Sequence, residues 1–461
     1  MKKMYRMISL ILVACMAFSL AACRDTDDEY STWSEVVWVD DDTVDNSNDG
    51  SKENADQNNE NNNKNNNNVT SPSKGEIKDL KGTTLDVLWW QAPTEDDRKL
   101  FENFEKKYGI KVNVTQTTQD EYNTKLSNMI IAKEGLDVAI VKNFPFTTSK
   151  CFQPVSVMGI DSSNKFWNQQ VSQKYSIKGK TYGLAADKGL WYNNFYLMFY
   201  DEDIFVENGV TTPRELWEKG DWNWDTFLQV AKDIHIANPE VGVYYAYQTP
   251  FMDSIGVDFA AYDGKVYKDN SNNPEVIKAW QYYTKFLDAG VCTNISVGED
   301  FSLGKGNLAM MYTSSWATRK DSNHGKDPGT LDCVPFPAPK GQSERILYAP
   351  QIWGCPKGAD NPLAAGLFLE YILNNDNYPS KIDDIVINKN LASTIKWVLN
   401  NTDKFFLQGQ GDIIGYTIHE RSRGAIAYKL QRTAASQITT IIAEYKSSIE
   451  GSIKEANKIV G

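Results

Sequence analysis

Between Thr83 and Val141 the spacing of apolar residues switches repeatedly between that of a strand and that of a helix, and no other feature of this 461-residue chain limits its fold as strongly. "TTLDVLWW" is rich in β-formers. In "PTEDDRKLFENFEKKYG", Leu100, Phe101, Phe104 and Tyr108 recur at helical spacing and Gly109 supplies a stop. "IKVNVTQ" alternates as a half-buried strand, "DEYNTKLSNMIIAKEG" reads as a second helix, and "LDVAIV" as a buried third strand. This order predicts a right-handed, largely parallel α/β sheet, because a strand feeding a helix packs back onto its own sheet with that hand. Ligands of such sheets sit outside the carboxyl ends of the strands. Trp89, Trp90 and Asn143 fall there.

Residues 1–78 cannot join that core. Lys2, Lys3 and Arg6 lead into the apolar run Met7–Leu20 and two small residues, the pattern of an export signal over 1–22. The run is too short to span a membrane, which takes roughly 20 apolar residues. Leu20-Ala21-Ala22-Cys23 resembles the bacterial lipoprotein signal, and the resemblance implies that Cys23 becomes the lipid-carrying first residue of the mature chain. Leu12-Val13-Ala14-Cys15 fits the same short pattern but leaves only about eight apolar residues before it, at the low end for such a signal. From Arg24 to Lys78 the chain is acidic and then dominated by asparagine, too poor in apolar surface to offset its ordering entropy. Residues 23–78 are therefore expected to be a disordered, lipid-anchored linker with a reach on the order of 40 Å. "STWSEVVWV" within it is an apolar island without an assigned role. The expected location is the outer face of the cell membrane.

About 385 residues remain, comfortable for two domains. The net charge of −12, more negative still without Lys2, Lys3 and Arg6, argues against nucleic-acid binding. His235, His324 and His419 lie far apart and none has metal-ligand spacing to a cysteine, so neither a metal nor another cofactor is expected. Cys151, Cys292, Cys333 and Cys355 share no short motif; pairing of some and isolated buried thiols are both open. No Gly-x-x-x-x-Gly-Lys-[Ser/Thr] loop occurs, so ATP hydrolysis is not expected of this chain.

The chain is unusually aromatic, with 13 Trp, 23 Tyr and 19 Phe. Flat apolar faces with a polar edge suit sugar rings, although most tryptophans in any protein serve packing. The order of segments carries more weight. "IKGKTYGLAADKGLWYNNFYL", "ENGVTTPRELWEKGDWNWDTFLQVAKDI", "FSLGKGNLAMMYTSSW", "VPFPAPKG" and "GCPKGADNPLAAGLFLEYIL" together resemble, over roughly Leu80–Leu373, the extracellular solute-binding proteins of bacterial ABC transporters, family 1, carbohydrate type. The resemblance implies an α/β, two-lobed periplasmic-binding-protein-like fold (type II) that closes about a hinge. Lobe 1 would comprise 79–186 and 349–400, and lobe 2 would comprise 187–348 and 401–461.

It also implies a monomer that captures a carbohydrate, an oligosaccharide, between the lobes and delivers it to permease subunits. Trp316 matches a tryptophan that lies under a sugar ring in relatives. Asp187 follows the strand that crosses between lobes, where relatives place a carboxylate on sugar hydroxyls, and Trp191 stands beside that crossing. Tyr247, Phe251 and Asp253 occupy a loop that reaches the cleft in relatives, and Trp353, flanked by Gln351 and Gly354, is a further candidate. Because adjacent strand residues point to opposite faces, one of Trp89 and Trp90 is expected to face the cleft. Trp222 and Trp224 are expected to be structural. The rival reading is a glycoside hydrolase, which needs two carboxylates about 5–5.5 or 6.5–9.5 Å apart; no local pair stands out. A surface adhesin with a degenerate cleft is the third reading.

Overall fold

β1 (Thr84–Trp89) feeds α1 (Glu95–Tyr108), which returns the chain to β2 (Lys111–Gln116), paired in parallel with β1. Thr94 caps α1 at its start, and at its end Gly109 takes the left-handed conformation (φ 70°) that glycine adopts without a Cβ clash. α2 (Tyr122–Ile131) leads to β3 (Ala139–Ile140), joined in parallel to β1 through Val87 and Val138. The expected strand–helix alternation is thus present. The computed structural model describes residues 79–461 except 119, 143, 190–191, 247–248, 294–306, 321–330 and 408–425. The signal segment, Cys23, the linker, Asn143, Trp191 and Tyr247 lie outside the described residues.

β4 (Phe152–Gln153), α3 (Gln169–Lys174) and the small hairpin of β5 (Ser176–Ile177) and β6 (Lys180–Thr181) complete the first pass through lobe 1. The chain then crosses into β7 (Asn193–Asp201), the spine of a second sheet. α4 (Pro213–Glu218), α5 (Trp224–Ala237), β8 (Gly242–Ala246), the hairpin of β9 (Ala260–Tyr262) and β10 (Tyr267–Asp269), and α6 (Pro274–Asp288) follow. β11 (Leu308–Ser314) pairs antiparallel with β7 and parallel with β8. The other edge of β7 is shared: β12 (Leu331–Val334) takes its later half and β13 (Ile346–Pro350) its first three residues. Trp222 and Trp224 open α5 and donate their indole N–H groups to the carbonyls of Pro335 and Pro337, at 2.9 and 2.8 Å, pinning the proline turn that follows β12.

β14 (Trp353–Pro356) carries the chain back to lobe 1, antiparallel between β3 and β4. α7 (Pro362–Ile372) packs there, with Phe368 against Phe101 and Phe104 of α1. α8 (Lys389–Asn400) departs from the sequence reading, which kept 349–400 together in lobe 1. It packs on lobe 2 instead. Its Thr394 hydroxyl donates to the carbonyl of Cys333 on β12 and accepts from Arg214 of α4, both at 2.8 Å, and Trp397 meets Trp217 edge-on at 4.9 Å. Arg214 also grips the buried Asp332 carboxylate with two bonds of 2.6 Å. The chain therefore crosses a third time between α7 and α8, near Tyr378, and Leu391, Ile395 and Val398 of α8 are buried.

β15 (Phe405–Phe406) adds to β13 in parallel. The long α9 (Ile438–Val460) lies along β10, where the Asn457 side chain accepts from the N–H of Tyr267 and donates to its carbonyl, each at 2.8 Å. The four described cysteines, Cys151, Cys292, Cys333 and Cys355, are all unpaired.

Candidate functional site

β1, the three crossings and the end of β11 converge on a cavity of about 260 Å³. From lobe 1 come Trp90 and Gln91, just past β1, with Thr94 and Asp97 at the start of α1. From the crossings come Tyr192, Asn193, Asn194, Gln351 and Tyr378, and from lobe 2 Ser315, Trp316, Thr318 and Arg319. Ile385, Val386 and Ile395 supply an apolar side.

Local structure fixes most of these groups. Asp97 occupies the third position of α1 and closes a capping box: one carboxylate oxygen accepts from the backbone N–H and the hydroxyl of Thr94, each at 2.8 Å. The other oxygen accepts from the Tyr192 hydroxyl at 2.7 Å, so the helix start is bonded directly to the crossing. Burial, and next the charge of Asp97, push the Tyr192 phenol well above its ordinary value, with Arg319 opposing the shift. Asn193 opens β7 and donates its amide hydrogens to the carbonyls of Ala186 and Gly189, at 3.2 and 2.8 Å. Gln351, just after β13, donates its backbone N–H to the carbonyl of Tyr192. β11 ends at Ser314, after which a short 3-10 turn carries Trp316 outward between the buried Ser315 and Ala317. Trp316 is 44 % exposed.

Trp90 is backed by a cation. The Lys142 ammonium lies 4.6 Å from the Trp90 ring and 4.9 Å from that of Tyr122. Burial brings its pKa down to about 8.

The sequence-derived candidates separate. Trp90 and Trp316 line the cavity. Trp89 and Trp353 are fully buried, in tilted ring contact at 5.1 Å, and each meets Tyr192 edge-on. The two neighbours thus part at the end of β1: Trp89 faces the core and Trp90 the cavity. Phe251 is buried among Trp224, Phe227 and Phe286. Asp253 is also buried and accepts from the hydroxyls of Tyr312 and Thr249. Asp187 is half-buried and accepts from the Asn168 amide at 3.0 Å, outside the described cavity wall; burial raises its pKa. Asn193, Gln351, Asp97 and Arg319 line the cavity without having been singled out as site residues. "Tyr-Asn" at the crossing and the glutamine beside Trp353 were the available signals for two of them, and Arg319 offered none.

Among the described residues, no group of three or more His, Cys, Asp or Glu side chains is placed to hold a metal ion. Asp97 is the one carboxylate among the described lining residues, and it is occupied by Thr94 and Tyr192. The arrangement presents aromatic faces, amides and hydroxyls from two lobes to one partly open cavity. That defines a two-lobed cleft binder. A family model of bacterial extracellular solute-binding proteins matches residues 99–385, and the chain belongs to that family. A comparison with curated protein sequences finds no match.

Solved structures share the fold. The galacto-N-biose/lacto-N-biose I-binding protein of the Bifidobacterium longum ABC transporter, in complex with lacto-N-biose, has a TM-score of 0.60 at 15% identity, over 81% of this chain and 97% of that one. An ABC substrate-binding protein from Listeria monocytogenes in complex with cycloalternan has a TM-score of 0.56 at 19% identity, over 82% and 98%. A solute-binding protein from Thermotoga lettingae bound with α-D-tagatose has 0.56 at 18%, over 82% and 100%.

Proposed function

We propose that this protein captures a carbohydrate, an oligosaccharide, in the cavity between its lobes and delivers it to the permease of an ABC importer. The observation that carries the reading is the placement of Trp90 and Trp316, one from each lobe, on a cavity that also presents the amides of Gln91, Asn193, Asn194 and Gln351 and the hydroxyls of Thr94, Ser315 and Thr318. Indole faces accept the C–H faces of sugar rings while the polar groups take the hydroxyls. Contacts drawn from both lobes are complete only when the lobes are closed, so ligand affinity favours closure and closure signals occupancy to the transporter. The carbohydrates bound in structures of the same fold, lacto-N-biose, cycloalternan and tagatose, support the choice of ligand class.

Lipid attachment at Cys23 would hold the protein, as a monomer, on the outer face of the membrane. No helix among the described residues is long and apolar enough to cross a membrane. Two lipid chains, at about 0.8 kcal/mol per buried methylene, anchor durably.

Thermal-shift measurements against neutral sugars, with chromatography of each sugar after long incubation, test this. A stabilising sugar recovered unchanged supports capture. Turnover would reveal a glycoside hydrolase, and silence across a broad panel would overturn carbohydrate capture and favour an adhesin.

A further inference from the structure

Three residues that line the cavity carry a buried polar atom with no partner in the protein: the indole N–H of Trp90, the amide oxygen of Asn193 and the amide oxygen of Gln351. Buried polar atoms are nearly always paired, so three unpaired ones on residues of a single cavity mark an interaction that the protein alone does not complete. The orientation of the Asn193 amide follows from its neighbours. Its nitrogen faces the carbonyls of Ala186 and Gly189, which can only accept, so its oxygen is the end left over. The tally is one donor and two acceptors.

That tally discriminates between ligand chemistries. An ionised carboxylate is acceptor-only; it satisfies Trp90 and sets lone pair against lone pair at Asn193 and Gln351. An ammonium group donates but leaves the Trp90 N–H unmet. Two hydroxyls supply both hydrogens and a lone pair. The two acceptors are also placed where the chain crosses between lobes. Asn193 pairs with Pro350 across β7 and β13, and Gln351 is the next residue, bonded through its backbone N–H to the carbonyl of Tyr192.

We propose that Asn193 and Gln351 are specificity-determining residues that select a neutral ligand able to donate at least two hydroxyl hydrogens, and that they bind it directly to the crossing strands. The proposal deepens the carbohydrate reading and rests on it. In this conformation the three atoms are shielded from solvent, so the ligand meets them as the crossings re-set around it. The terminal amide torsion of Gln351 is of the soft kind that can turn to follow. A hydroxyl on the Asn193 oxygen is one side chain away from the backbone of Ala186 and Gly189, which makes ligand contact and hinge setting a single event.

The test is calorimetry on the full chain with maltotetraose, lacto-N-biose, tagatose and glucuronate as probes. The wild type is compared with Gln351→Met, which keeps the side-chain length and deletes the amide, and with Asn193→Leu. Gln351→Met is expected to weaken the tightest-binding neutral sugar about 5- to 100-fold, the loss of one buried hydrogen bond. Its unliganded melting temperature should hold or rise, because an unpaired acceptor has been removed; a merely structural glutamine would lower it. Asn193→Leu should lose at least as much affinity, and if it does not fold, Gln351→Met decides alone. Affinity within twofold of wild type in Gln351→Met overturns the proposal while leaving carbohydrate capture standing, as does glucuronate binding more tightly than every neutral probe. If the wild type binds none of the four, the carbohydrate reading fails and this proposal falls with it.

Discussion

Trp316→Ala separates binding from packing at one position, because the residue is divided between the two. A tryptophan buries 150–250 Å² when fully enclosed. At 44 % exposure, roughly 70–110 Å² of Trp316 is left for a ligand to cover, which at ~25 cal/mol/Å² is about 2–3 kcal/mol, or ~30- to 150-fold in dissociation constant. The part already buried is roughly 80–140 Å², an upper estimate of about 2–3.5 kcal/mol toward folding. Spread over a folded region of roughly 380 residues, that lowers the melting temperature by about 3–4 °C at most. Calorimetry at 20 °C, where both proteins are folded, reads the first quantity, and a melting curve of the unliganded proteins reads the second. If affinity stays within twofold of wild type while the melting temperature drops by more than about 5 °C, Trp316 is a packing residue and the stacking argument is refuted.

The other predictions address the frame of the site and the anchor. Asp332→Asn leaves the Arg214 guanidinium partly buried without its bidentate partner, which should cost about 3–5 kcal/mol and roughly 4–6 °C of melting temperature with sugar affinity unchanged; a shift below 1 °C would show the pair to be dispensable. Lys142 has a folded pKa, about 8, below its unfolded value, so between about pH 8 and 10.5 the unfolded chain binds more protons and stability should rise with pH through that window. The melting temperature of the wild type relative to Lys142→Met should therefore rise from pH 7 to pH 10, and a constant difference would show that Lys142 keeps its ordinary pKa. Cys23→Ser should release the protein from the membrane fraction with its signal poorly processed, and unchanged acylated membrane protein would sink the anchor proposal.

What could be read in the sequence was local. The five alternating elements from Thr84 to Ile140 follow from periodicity and from the Gly109 stop, each settled within a few residues. The structural role of Trp222 and Trp224 was legible through the family resemblance of the segment that opens α5. The choice between Trp89 and Trp90 was not. It is made by β14, more than 250 residues downstream, whose Trp353 covers the Trp89 side of β1. Phe251 and Asp253 sit in a loop whose depth depends on α5, α6 and β11 closing around it, and nothing local in that loop reveals this. α8 was misplaced for the same reason: its apolar stripe announces a buried face, but only Arg214, Asp332 and Thr394 together decide which sheet it covers. The leftover acceptors of Asn193 and Gln351 become visible only once every nearby donor is placed.

The Asn457 amide does on β10 what a neighbouring strand would do. At Tyr267 it accepts from the backbone N–H and donates to the carbonyl, the same two bonds that an incoming chain would form there. A sheet edge with free backbone groups is a template for association between copies. Here one side chain from α9 occupies that position, so copies held at high local concentration are denied it as a seam. Asn457→Ala would reopen the seam without touching the cavity, and the consequence would be seen in how the protein keeps company with itself rather than in what it binds.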